Sequence, residues 1–208
     1  MAIHGAVAPG NAVKIFNEMH LPFSYAASES APIVAHPAVS APTMATMANA
    51  AGANDPKQLA ALLEDGKNVV ITSGLLKALQ GKGIEDIIEL DYTGKTVATR
   101  EFAIGFGQRS PKLDADLLIP EIRYFTNDSW ETVSAFTSPN RSSGTPILLS
   151  GKYSKGRLYV LTIPQAQGEL YRYPANVLRA IREVVARDLY VRLDAPSMVS
   201  LFVYDNDK

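Results

Sequence analysis

Between Asp55 and Gly83 the apolar positions follow a helix–strand–helix rhythm. Leu59, Leu62 and Leu63 form one stripe at helical spacing. Asp55 is placed to cap that helix, Pro56 takes its first position, where a missing N–H costs nothing, and Gly66 ends it. Residues 68–72, Asn-Val-Val-Ile-Thr, are almost wholly apolar, as in a strand buried on both faces of a parallel sheet. Ser73 reads as the cap of a second helix through Leu75, Leu76 and Leu79, stopped by Gly81 and Gly83. The best helix starts at Pro174: Val177, Leu178, Ile181, Val184 and Val185 share one stripe, and Arg179, Arg182, Glu183 and Arg187 fall largely outside it.

Elsewhere the spacing predicts strands. Ile87–Leu90 and Thr96–Thr99 resemble the arms of a hairpin whose turn holds Gly94, and 117–120 is a short strand. Pro146–Tyr153 and Arg157–Ile163 form a second hairpin across Ser154-Lys155-Gly156. Residues 190–193 and 197–204 read as two more strands. Upstream, 12–19 can form a short helix. The Ala/Ser/Pro-rich stretch 26–54 is either an irregular surface segment or an Ala-rich helix over 43–51, and a short strand at 33–35 suits either. With no internal repeat and no clean linker after residue 55, residues 1–208 are expected to be a single α/β domain.

Composition agrees and excludes more than it assigns. With 47% hydrophobic residues the chain can bury a core, and 20 basic against 21 acidic residues exclude a nucleic acid or anionic membrane held by bulk charge. The chain contains no cysteine, which removes disulfides, thiolate metal sites and cysteine nucleophiles. No apolar run reaches the roughly 20 residues of a membrane span, and no signal peptide is visible in this chain, so localisation is left open. No cofactor motif is present: Gly105-Phe-Gly107-Gln-Arg109 lacks the full phosphate-loop and dinucleotide patterns, although its backbone and Arg109 could hold an anion.

Three clusters could carry chemistry. Ser73 at a strand-to-helix junction occupies the place of a hydrolase nucleophile, but the glycine two residues before it is missing and capping also explains it. Its partner would have to be His4, His20 or His36, whose spacing matches no compact metal motif either. Residues 124–131, Tyr-Phe-Thr-Asn-Asp-Ser-Trp-Glu, are the richest cluster. On a helical turn Asp128 and Glu131 would face one cleft as paired carboxylates, with Asn127 and the single tryptophan, Trp130, contacting a sugar. A helix capped at 127 or 128 with Trp130 in the core is the competing reading. Finally, Glu169, Tyr171, Arg172 and Tyr173 precede the last helix, where Glu169 and Arg172 could line a site at a sheet edge.

Residues 68–76, 124–131, 156–164 and 201–207 together resemble an uncharacterised bacterial family with a class I glutamine-amidotransferase-like domain, a fold also found as the trimerisation domain of some β-galactosidases. The resemblance covers about 55–207 and implies a flavodoxin-like three-layer sandwich with a mostly parallel sheet, supplemented by the β-hairpins. It also implies a carbohydrate ligand, an adjacent carbohydrate-related domain or a second copy of the chain as partner. It does not carry over glutaminase chemistry, because the family's Cys-His-Glu set lacks its cysteine here and no histidine lies in the later half. The function expected is therefore a non-catalytic carbohydrate-associated binding or assembly module, and the alternative is a hydrolase of an ester or glycosidic bond using Ser73, Asp128 or Glu131.

Overall fold

A computed structural model describes residues 55–124, 129–137, 144–164 and 172–185, and the backbone of three strand segments at 2–3, 24–25 and 44–47. The expectations for 12–19, 33–35, 190–193 and 197–204 lie outside the described residues.

The central element is β4 (Asn68–Thr72), whose Val69, Val70 and Ile71 are fully buried. It lies between β3 (Met44–Met47) and β11 (Gly156–Leu161), parallel to both, as its unbroken apolar run requires. β3 takes the place of the helix considered for 43–51. Beyond it come β1 (Ala2–Ile3) and β2 (Ser24–Tyr25), again parallel.

On the other side of β11 the sheet changes character. β10 (Thr145–Tyr153), β9 (Ser129–Ala135), β6 (Phe102–Ile104) and β7 (Gln108–Arg109) follow in that order, every neighbour antiparallel. A separate two-stranded antiparallel sheet pairs β5 (Leu90–Thr99) with β8 (Leu117–Tyr124). The flavodoxin-like architecture with a mostly parallel sheet is thus overturned: the fold is α/β with two sheets, and its longer ladders are antiparallel. The physical reason lies in the connections. A parallel neighbour needs a long crossover, whereas the two-residue link Ser154-Lys155 from β10 to β11 permits only a reversal. The hairpin expected across Gly94 is also replaced: β5 runs straight through it, and Gly94, at φ +78°, sits in an irregularity between Tyr92 and Thr96.

Helices cover both faces. α1 (Pro56–Glu64) begins as its sequence predicts, with Asp55 accepting the Lys57 N–H at 2.9 Å. α2 (Ser73–Leu79) is capped one residue earlier than expected: the Thr72 hydroxyl accepts the Leu75 N–H, and Ser73 is already helical. Leu59, Leu63, Leu75 and Leu76 of these helices pack on Val69, Ile71, Leu158 and Val160. On the opposite face α3 (Ala175–Val185) lays Val177, Ile181 and Val184 against Val70, Tyr159 and Leu161, with Phe102, Leu117 and Ile119 closing the same cluster. β8 joins both clusters, through Leu117 and Ile119 on one and Ile122 on the other.

Candidate functional site

Residues 129–135 form a strand, not the helical turn considered for this region. Strand geometry sends Trp130 and Glu131 to opposite faces of the sheet. Trp130 pairs with Ser150 and lines a cleft that α3 closes with Ala180 and Glu183. Glu131 pairs with Leu149, which belongs to the α1/α2 side, and its carboxylate accepts the hydroxyl of Tyr124 on β8. Burial raises the Glu131 carboxyl above its ordinary value, against a smaller opposing hydrogen bond from Ser134.

The ladder between β9 and β10 contains two irregularities. Val133 pairs with Leu148, while Thr132 and Ile147, on opposite strands, are each left over as a bulged residue. Thr132 lines the cleft beside Trp130, and its carbonyl accepts the N–H of Gly105.

The cleft has a volume of about 540 Å³, within the range of small-molecule sites. Its outer wall is aromatic. Trp130 is 51% exposed and meets Phe106, 87% exposed, edge to face with ring centroids 5.0 Å apart. Phe106 sits at the tip of the β6–β7 hairpin between Gly105 and Gly107, both at positive φ, so the tight turn holds the ring out in solvent beside Trp130. The inner wall is polar. The Arg157 guanidinium, half-buried, donates to the Ser150 hydroxyl at 3.1 Å, and the Arg157 N–H donates to Asn68 Oδ1 at 3.1 Å, fixing the strand that carries it. Arg157 and Glu183 both line the cleft, yet no ion pair joins them.

The other sequence candidates lie apart from this cleft. Ser73 is 2% exposed, and its hydroxyl accepts the Ile163 N–H at 3.1 Å, tying the start of α2 to the chain leaving β11. Arg172 donates to the carbonyls of Ala115 and Asp116, each at 2.8 Å. Asn127, Asp128, Glu169 and the three histidines are outside the described residues. Among the described residues no cluster of three or more His, Asp or Glu could hold a metal ion, and no helix is long and apolar enough to cross a membrane.

Sequence reasoning passed over Phe106, Ser150 and Arg157. One signal was present: Arg157 directly precedes the apolar run 158–161 and shares the strand face of Tyr159.

No family model matches the chain, and no curated protein is similar to it. Solved structures share its fold at low identity. A cytoplasmic protein from Salmonella typhimurium LT2 aligns with a TM-score of 0.56 at 10% identity over 86% of this chain and 87% of its own. A GH42 β-galactosidase from G. stearothermophilus aligns with a TM-score of 0.55 at 12% identity, over 90% of this chain but only 27% of the enzyme. A β-galactosidase from Bacillus circulans sp. alkalophilus aligns at 0.51 and 10%, over 92% of this chain and 31% of its own. The likeness is thus to part of these β-galactosidases and to cytoplasmic proteins. It does not single out an amidotransferase family, which corrects the narrower resemblance drawn from sequence.

Proposed function

We propose that this chain is a single non-catalytic domain that binds carbohydrate in the Trp130 cleft. The observation that carries this reading is the half-exposed Trp130 ring, which a core residue would not show, standing beside hydrogen-bonding groups in one concavity. A pyranose offers an apolar face and a rim of hydroxyls. The ring of Trp130 suits the face, and Ser150, Thr132, Glu183 and Arg157 supply acceptors and donors for the rim. That the β-galactosidases sharing this fold carry it as roughly a quarter to a third of their length is a second support, and it makes an adjacent carbohydrate-active domain the natural protein partner.

Among the described residues nothing favours the hydrolase alternative: the Ser73 hydroxyl is buried and engaged by the backbone, and the Glu131 carboxylate faces away from Trp130. Isothermal titration against neutral and acidic oligosaccharides tests the reading. Binding that Trp130→Ala abolishes while the melting transition persists supports it, and no binding across the panel rejects it.

A further inference from the structure

From Arg157 we infer that the cleft selects acidic saccharides, its guanidinium taking the carboxylate of a uronic acid residue while Trp130 stacks on a sugar ring; this rests on the carbohydrate reading above. Arg157 carries five N–H donors, and among the described residues its side chain donates to the Ser150 hydroxyl, a neutral acceptor. Three exposed arginines of this fold do meet carboxylates: Arg100 pairs with Asp116, Arg109 with Glu101 and Arg123 with Glu121. Among the described residues no carboxylate lies within ion-pair distance of Arg157, although Glu183 lines the same cleft.

A half-buried guanidinium that meets no carboxylate among the described residues retains hydrogen-bonding capacity for a ligand anion. Its planar fork matches a carboxylate in two-point geometry, which a neutral hydroxyl cannot reproduce. The side chain is also prepositioned. Its backbone is tied to Asn68, and its outer nitrogen is held by Ser150 on the neighbouring strand, so little rotamer freedom is left to lose on binding. The carboxylate class of ligand follows from that fixed fork; the sugar class follows from Trp130, which lines the same cleft.

The test compares tetragalacturonate with its methyl ester and with a neutral galactotetraose by isothermal titration. The free acid should bind at least tenfold more tightly than either, and its advantage should shrink with added salt. Arg157→Gln should remove that advantage, so that the variant binds the free acid and its methyl ester equally; an advantage that persists in the variant overturns the assignment to Arg157. The methyl-ester comparison uses the unaltered protein, so it decides the matter even if the variant fails to fold. Equal affinity for acid, ester and neutral sugar overturns the selectivity but leaves the carbohydrate reading standing; binding of none of the three overturns both.

Discussion

Arg157 and Ser150 meet diagonally across the β10–β11 ladder, two residues off direct opposition, and this contact holds the positive charge of the cleft against its inner wall. The same strands present Leu149 and Leu158 to the other side, where α1 and α2 pack. Core and cleft are therefore built on alternate residues of the same two strands, and changes at the cleft can be read without dismantling the core.

Trp130→Ala is expected to destabilise the fold by about 1 kcal/mol, the scale of an aromatic pair contact rather than the about 3–5 kcal/mol of a buried aromatic. Phe106→Ala should cost less, since its ring is almost wholly in solvent. Thermal melting of both variants checks this. A loss of cooperative unfolding in Trp130→Ala would mean the ring supports the core.

Ser73→Ala should destabilise by about 1–3 kcal/mol, because it leaves the buried Ile163 N–H without its acceptor. Thr72→Ala removes the cap of α2 and should cost about 1 kcal/mol. Urea unfolding of the two variants separates these roles. A Ser73→Ala protein as stable as the parent would show that the hydroxyl is not a structural acceptor.

The Glu131 carboxyl gives a pH-dependent signature. Because its pKa is raised in the folded protein, the stability it contributes is fully present below the ordinary carboxyl pKa and is lost as pH rises through the raised value. Glu131→Gln should flatten that arm of the stability–pH curve relative to the parent. Tyr124→Phe removes a donor to the carboxylate and should cost about 1–3 kcal/mol, more at neutral than at acid pH. Melting curves across the carboxyl range test both, and an unchanged slope in Glu131→Gln would refute the assignment.

Gly156→Ala should be among the most damaging single-methyl additions. A Cβ there would lie 2.3 Å from the Lys67 carbonyl oxygen and 2.8 Å from that of Leu63, both backbone atoms with little freedom to yield. The expected loss is about 3 kcal/mol, measured by urea unfolding, with α1 forced off the hairpin. A neutral outcome would show that α1 can shift.

The elements that were legible in the sequence are those whose signal is local. Asp55-Pro56 and Gly66 bracket α1 through capping chemistry alone, and the run at 68–72 reads as an interior strand because both its faces are apolar. The stripe through Val177, Ile181 and Val184 likewise places α3. The course of β5 was not legible, because Gly94 resembles a turn residue when its long partner β8 is unknown. The parallel expectation failed for a related reason: one buried parallel strand is visible in sequence, but the company it keeps is decided by pairings across many residues. At the site, Trp130 was visible as the single tryptophan, whereas Arg157 acquired meaning only when β10 brought Ser150 beside it.

Thr132 and Ile147 add one residue to each of two facing strands, so their offsets cancel and the ladder on either side of them keeps one common register. What does not cancel is parity along β9. Trp130 and Val133 are an odd number of residues apart, and an unbroken strand would place them on opposite faces. Here both stand on the α3 side, Val133 in the core and Trp130 in the cleft. With Val133 anchored, a strictly regular β9 would turn the indole toward α1 and α2 and bring Glu131 round to Arg157, neutralising the charge that the cleft now holds open. The ligand-facing character of this surface thus depends on chain length as much as on chemistry: a single supernumerary residue decides which of two adjacent side chains meets the solvent.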